Sequence, residues 1–136
     1  MVSGGCLCGQ VRFTAKQPPI TARMCWCRLC QAIGGGGPTV NAAFLTADVT
    51  VEGETAVYAS IADSGNHMRR RFCPSCGTPL FSEAEARPHL IFIRAGVLDD
   101  PELARPAATI WTAQAPSWAC IDPDIPALEG QPPPAA

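Results

Sequence analysis

Seven of the eight cysteines stand in three close groups, and such grouping is typical of metal ligands. The groups are a C-x-C pair, a C-x-C-x-x-C trio and a C-x-x-C pair: Cys6 and Cys8; Cys25, Cys27 and Cys30; Cys73 and Cys76. The eighth cysteine, Cys120, stands alone. The two pairs are called the four-cysteine cluster below, and the trio the three-cysteine cluster.

The four-cysteine cluster of Cys6, Cys8, Cys73 and Cys76 predicts a closed, tetrahedral zinc site. Two intervening residues let both thiols of a C-x-x-C pair point at one ion, and the glycine after each pair lets the backbone turn so that amides face the thiolates. Such a site would tie the N-terminal strand to the middle of the chain and stabilise a small domain. The alternative is two thiol pairs without a metal.

The three-cysteine cluster predicts a second zinc with an open fourth position, which is the pattern of a catalytic site. Three thiolates make zinc a weaker Lewis acid than three histidines do, so the site suits thiol chemistry better than water activation. Two alternatives remain open. Cys120 could be a fourth ligand and make the site structural, or His67 or His89 could fill that place.

The elements that must position these cysteines are short strands. Alternating, β-branched or aromatic segments bounded by Gly and Pro predict strands at 10–15, 48–53, 55–60, 68–73, 90–96 and 108–112. Asp100 as cap and Pro101 at the first helical position predict one helical turn. We expect a mainly β fold of short antiparallel strands with long loops. A single domain covers residues 1–122, and a proline-rich, mobile tail covers 123–136.

Composition and charge argue against several classes of protein. The chain has 136 residues, a formal net charge of -2 and few aromatic residues, so bulk charge indicates neither a nucleic-acid nor a membrane partner. The N-terminus lacks the basic and apolar regions of a signal peptide, and no apolar run is long enough to span a bilayer. We therefore expect a cytoplasmic protein whose cysteines bind metal and form no disulfides.

Four segments together resemble the glutathione-dependent formaldehyde-activating enzyme (GFA) family, which also includes centromere protein V. They are "GGCLCGQVRF", "CWCRLC", "RRFCPSCGTPLF" and "AGVLDDPELARPAATIWTAQAPSW". The resemblance implies a β-tent fold, a structural zinc in the four-cysteine cluster and a second zinc in the three-cysteine cluster, open towards a cleft. It also implies carbon–sulfur lyase chemistry, in which glutathione and formaldehyde form S-hydroxymethylglutathione and are released again. The alternative is a non-catalytic interaction module or a zinc storage or transfer module.

Members of the family commonly have His between the first two cysteines of the trio, where this chain has Trp26. Indole cannot ligate zinc, so any role of that His is lost or altered. No residue is assigned a catalytic role beyond holding metal. A small thiol such as glutathione is the expected partner, and the protein is expected to be a monomer or, through an apolar edge strand, a homodimer.

Arginines are the candidates for binding the substrate's carboxylates. Arg69 and Arg71 share one face of the strand predicted at 68–73, and Arg28 lies inside the trio. Arg94 is a similar candidate, and Trp26 is included for its position. The alternative is that the arginines only offset the negative charge of the zinc thiolates.

Overall fold

The computed structural model describes residues 1–133, which form ten strands, one short α-helix and several 3-10 turns. The strands are β1 Val2–Gly5, β2 Arg12–Ala15, β3 Thr21–Cys25, β4 Thr39–Leu45, β5 Val49–Glu52, β6 Ala56–Ile61, β7 His67–Phe72, β8 Pro79–Ala84, β9 Leu90–Arg94 and β10 Ala108–Ile110. The helix is α1, Arg28–Ile33. No helix in the described part of the chain has the length and apolar character that a membrane span needs.

The strands form two sheets, which confirms the mainly β fold. β1, β2 and β5 form a three-stranded sheet, and the other seven are ordered β10-β3-β4-β9-β8-β7-β6. All pairs are antiparallel except β10 with β3. The alternating segments correspond to β2, β5, β6, β7, β9 and β10. The strands that the pattern missed, β1, β3, β4 and β8, carry glycines, a proline or mixed polar residues and so lack a clean alternation.

The main core lies between the two sheets. Phe13 of β2 meets Phe81 of β8 edge to face, with ring centroids 5.7 Å apart, and both side chains are buried. Burying an aromatic side chain of this size contributes about 1.5–3 kcal/mol. Cys6 and Cys73 belong to the same buried cluster, so the four-cysteine cluster stands at the end of the core that joins the sheets.

The predicted helical turn is present as a 3-10 turn at Pro101–Ala104. The Asp100 carboxylate accepts a hydrogen bond from the backbone N–H of Glu102, and Pro101 occupies the first helical position. The neighbouring carboxylate of Asp99 forms an ion pair with Arg12 of β2 at 2.8 Å. That ion pair and the hydrogen bond to Ser3 hold the pKa of Asp99 below its usual value.

The C-terminal segment lies against the end of the large sheet as far as the described residues reach. The backbone N–H of Thr109 in β10 donates to the carbonyl oxygen of Pro126, and Leu128 N–H donates back to Thr109. Residues 126–131 therefore have defined neighbours in the structure. The mobility expected of the tail stays a prediction, and its last part, 134–136, lies outside the described residues.

Candidate metal centres and the cleft

The four-cysteine cluster has the dimensions that a zinc ion requires. Its four sulfurs lie within 4.8 Å of one another. Cys6 Sγ is 3.6 Å from Cys8 Sγ, which is 3.7 Å from Cys73 Sγ. A tetrahedral zinc with Zn–S bonds of about 2.3 Å sets its sulfurs about 3.8 Å apart. The donors are soft thiol sulfurs and their spacing matches this geometry, so the cluster fits zinc.

Local backbone geometry positions the thiols of this cluster and directs amide N–H groups at their sulfurs. Gly77 has φ +75°, so the chain reverses directly after the C-x-x-C pair. Cys76 N–H then points at the sulfur of Cys73 at 3.5 Å, and Val11 N–H points at the sulfur of Cys6 at 3.3 Å. Amide donors of this kind stabilise thiolates, which are the form that binds metal.

The thiols of this cluster cannot all ionise by themselves. Hydrogen bonds from the Thr78 hydroxyl and nearby backbone lower the pKa of Cys76 to about 5. A backbone hydrogen bond from Gln10 favours the thiolate of Cys8, but lost hydration and the neighbouring thiols of Cys6, Cys73 and Cys76 raise its pKa to about 12. A divalent cation removes this mutual repulsion, which is the physical reason for expecting one here.

The three-cysteine cluster is built at the junction of a strand and a helix. Cys25 ends β3, Cys27 is the N-cap of α1, and Cys30 lies in the first helical turn. All three are buried, and their sulfurs lie within 4.8 Å of one another. The backbone N–H of Cys30 donates to Cys27 Sγ at 3.3 Å. The short spacing and the helical turn thus bring three soft donors to one point.

Within residues 1–133, no fourth Cys, His or carboxylate joins this cluster. Cys120 is exposed and belongs to neither cluster. His67 is exposed on β7, and His89 is likewise absent from the cluster. The geometry therefore speaks against the alternatives in which one of these side chains closes the second site.

The thiols of the three-cysteine cluster also differ in how readily they ionise. Hydrogen bonds from Cys25 and Cys27 lower the pKa of Cys30 to about 3, with help from Thr39 and the charge of Arg94. The same contacts with Cys27 and Cys30 raise the pKa of Cys25. One thiolate is favoured and a second is opposed, so here too a cation is needed to hold three thiolates together.

Two glutamines hold the loop that carries this cluster. The buried amide of Gln31 donates to the carbonyl oxygens of Trp26 at 2.8 Å and Gln114 at 3.0 Å. The Gln114 side chain accepts from the backbone N–H of Arg28 at 2.7 Å and donates to Asp63 at 3.1 Å. Sequence reasoning missed both glutamines, because nothing in their spacing marks them.

The cluster forms one wall of a cleft on a face of the seven-stranded sheet. Strand register shows how that face is assembled. Arg23 of β3 is opposite Asn41 of β4, which is opposite Arg94 of β9. In the next row, Arg70 of β7 is opposite Ser82 of β8. All five side chains line the cleft, and Cys25 lies two residues beyond Arg23 on the same strand.

Arg69 and Arg71, predicted as carboxylate ligands, do not line this cleft. Arg71 lies over the ring of Phe81, with its guanidinium carbon 5.0 Å from the ring centroid, and pairs with Glu83 at 3.4 Å. Arg69 is exposed at a separate surface depression on β6 and β7. The alternation of β7 gives the cleft Met68 and Arg70 instead. The choice between the two faces depends on tertiary pairing, and a register shift interrupts the alternation at Arg71 and Phe72.

Arg28 and Trp26 also lie outside the residues that line the cleft. Arg28 is exposed, and its guanidinium donates to Gln31 Oε1. Trp26 is 3% exposed and packs edge to face against Trp118, with ring centroids 6.2 Å apart. Substrate binding by either residue stays a prediction.

Trp111 is the aromatic residue in the cleft wall beside the three-cysteine cluster. It has φ +57° and ψ +35°, a left-handed conformation that is strained for a bulky residue. Its indole N–H donates to Gln131 Oε1 at 3.0 Å, and its ring packs against the three-cysteine cluster. Sequence reasoning did not anticipate that Gln131, in the C-terminal segment, also lines the cleft.

Comparison with known proteins agrees with this geometry. The family model described as "Glutathione-dependent formaldehyde-activating enzyme" matches residues 1–114. A curated protein of Halomonas elongata, named "Putative glutathione-dependent formaldehyde-activating enzyme", is 30% identical over 129 residues, which cover 90% of this chain and 82% of that protein. A crystal structure of a Rhodobacter sphaeroides protein has a similar fold, with a TM-score of 0.57 and 21% identity over 76% of this chain and 96% of that one. The chain belongs to the glutathione-dependent formaldehyde-activating enzyme family.

Proposed function

We propose that the protein is a zinc enzyme of the carbon–sulfur lyase type that adds glutathione to formaldehyde and reverses the addition. Two zinc ions bind per chain. The one in the four-cysteine cluster is structural, and the one held by Cys25, Cys27 and Cys30 is catalytic. The family assignment supports the glutathione and formaldehyde chemistry, since the family and the Halomonas elongata relative are named for it.

One observation carries the proposal. Three buried thiols meet in the wall of a cleft, and no fourth protein ligand within residues 1–133 closes their group. A purely structural zinc site has four protein ligands, whereas catalytic zinc sites have three and keep one place for a substrate. A structural role alone would also give no reason for the cluster to face a cleft.

Some residues of the site hold the metal, and others shape the cleft beside it. When bound, zinc in such a site stabilises a substrate thiol as thiolate or polarises an aldehyde oxygen. Cys30 N–H keeps the Cys27 sulfur in its ligating position, and Gln31 fixes the loop between Cys25 and Cys27. Ile110 and Trp111 form an apolar wall beside the cluster, which limits water there.

The reaction balances without an oxidant or reductant. The thiol loses its proton, a bond forms between sulfur and the aldehyde carbon, and the C=O double bond becomes a single bond whose oxygen takes up a proton. Ser82 is a buried, cleft-lining residue whose hydroxyl can donate a hydrogen bond to that oxygen as it gains negative charge. A serine hydroxyl is not an acid at neutral pH, so the proton itself returns through solvent at the open side of the cleft.

The test is the exchange rate between ¹³C-formaldehyde and S-hydroxymethylglutathione, measured by NMR exchange spectroscopy on protein with two zincs per chain. We expect a rate that rises in proportion to protein concentration above the uncatalysed background. Cys27→Ser should return the rate to background while the four-cysteine zinc and the far-ultraviolet circular dichroism spectrum are retained.

The matched control is Cys120→Ser, which makes the same chemical change at an exposed cysteine outside both clusters. This variant should keep the wild-type rate. If wild-type protein with two zincs gives only the background rate, the proposed reaction is wrong, whether or not Cys27→Ser folds.

A further inference from the structure

The cleft has a strongly unbalanced charge. Four arginines line it, Arg23, Arg70, Arg87 and Arg94, against one carboxylate, that of Asp63. As far as residues 1–133 are concerned, none of the four arginines forms an ion pair with a carboxylate. Asp63 instead accepts a hydrogen bond from Gln114. The positive charge of these arginines is therefore not balanced by carboxylates of the described chain and is available to bind an anionic group from outside it.

Arg94 is the most buried of the four arginines. Only 9% of its surface is exposed, and its sole side-chain hydrogen bond to the described chain goes to the neutral amide oxygen of Asn41. Its buried Nε–H has no hydrogen-bond partner in the described residues. Burying an unpaired guanidinium is costly, so a site of this kind is stabilised when an anion arrives.

Arg70 approaches the same place from another strand. It lies in the row of side chains that runs from Arg70 through Ser82 to Phe92, and Arg94 follows Phe92 by two residues on the same face of β9. The Arg70 guanidinium is half-buried and is held by the hydroxyl of Ser60. Its charge repels that of Arg94. A shared anion would turn this repulsion into attraction.

We propose that Arg70 and Arg94 form a carboxylate-binding pair that anchors the thiol substrate in the cleft beside the three-cysteine cluster. The inference rests on the proposed function for the identity of the thiol, glutathione, which carries two carboxylates. A guanidinium fits a carboxylate with two parallel hydrogen bonds, and such charged bonds are stronger than neutral ones. The pair thus selects thiols that bear a carboxylate over neutral thiols of similar size.

The competing explanation is that these arginines only offset the negative charge of the metal thiolates. The charge of Arg94 does favour the thiolate of Cys30. Charge compensation, however, requires neither a buried Nε–H without a partner on Arg94 nor a second guanidinium two strands away. The two explanations also predict different outcomes when the carboxylates of the ligand are removed.

The experiment is calorimetric titration of the zinc-loaded protein with S-methylglutathione and, in parallel, with its dimethyl ester. Blocking the sulfur prevents the reaction, and esterification removes only the two carboxylate charges. We expect the wild type to bind the acid about tenfold to a hundredfold more tightly than the ester. Arg70→Gln should abolish this preference.

The matched control is Arg69→Gln, which removes the same charge from the adjacent residue of β7 on the face away from the cleft. It should keep the preference for the acid within about twofold. Arg94→Lys is the second variant: it keeps the charge beside the cluster but loses the two-bond fit, and we expect it to weaken the preference as well.

The proposal would be overturned if Arg70→Gln and Arg69→Gln lost the preference for the acid to the same extent. It would also be overturned if the wild type bound the acid and the ester equally tightly. Loss of zinc from Arg70→Gln, with zinc retained in Arg94→Lys and the preference for the acid intact in both variants, would establish charge compensation instead. Because the titration needs no turnover, the carboxylate site can be confirmed even if the exchange reaction with formaldehyde is absent. A working exchange reaction without acid preference would refute the site alone.

Discussion

Replacement of Gln31 by Ala tests how the loop of the three-cysteine cluster is held. The Gln31 amide donates two hydrogen bonds to carbonyl oxygens, of Trp26 and Gln114, and accepts one from Arg28. Each bond contributes about 0.5–1.5 kcal/mol net, and each buried carbonyl left unpaired costs about 1–3 kcal/mol. The better helix propensity of Ala offsets roughly 0.4 kcal/mol. We therefore expect Gln31→Ala to lower the free energy of unfolding by about 2–4 kcal/mol.

The assay is urea unfolding in excess zinc, together with the rate of zinc transfer to a chromogenic chelator. Zinc should leave the three-cysteine cluster faster in the variant, while release from the four-cysteine cluster should be unchanged. Gln31→Glu keeps the length but directs a carboxylate at the two carbonyl oxygens, so it should destabilise the protein at least as much. The matched control is Gln10→Ala, at an exposed glutamine that accepts from Ser75, with an expected loss of about 0.5 kcal/mol or less.

The reasoning is refuted if Gln31→Ala and Gln10→Ala unfold at the same urea concentration. It is equally refuted if Gln31→Glu is neutral, because the donors would then have been assigned to the wrong groups. Faster release of zinc from both clusters would show that Gln31 supports the domain in general and not the loop of the second cluster.

Two further predictions concern the backbone and the C-terminal segment. In urea unfolding, Leu128→Ala should lower the free energy of unfolding by about 1–2 kcal/mol, because this half-buried side chain packs on the three-cysteine cluster. A loss below about 0.5 kcal/mol would mean that the C-terminal segment does not cover the cluster in solution. Gly53→Ala should cost about 3 kcal/mol or more in urea unfolding, since a Cβ there would collide with the carbonyl oxygen of Gln10, whereas Gly77→Ala meets open space and should cost about 1–2 kcal/mol for its left-handed φ. Equal losses in the two glycine variants would contradict this ranking.

The pairs and the trio of cysteines were within reach of sequence reasoning because the geometry within each group is local, whereas the meeting of the two pairs, 65 residues apart, depends on the fold. The pair Cys73 and Cys76 is joined by one tight turn, and Cys27 and Cys30 by one helical turn, so spacing alone brings the sulfurs of each pair together. The clusters that the structure shows contain the predicted cysteines. Strands with clean alternation, such as β2 and β7, were predictable for the same reason: their period is a property of a few consecutive residues.

The arginines that line the cleft were predictable only in part: the sequence analysis named Arg94, but it chose the wrong face of β7. The period of two in β7 divides its arginines into two faces, and the sequence indicated Arg69 and Arg71. The structure turns Arg70 towards the cleft, because β7 pairs with β8 and β8 with β9 in a particular register. A shift of one residue would exchange the two faces, and no local signal distinguishes them.

By itself, then, the sequence determined the mainly β class, the grouping of the cysteines into two clusters that could hold metal ions and the family to which the chain belongs. Tertiary structure decided that no other described ligand closes the three-cysteine cluster, that Gln31 and Gln114 hold its loop, and that the C-terminal segment brings Gln131 to the cleft. The physical reason is distance along the chain. Short spacings constrain geometry through the backbone, whereas contacts between distant residues depend on sheet register and packing, which only the folded chain specifies.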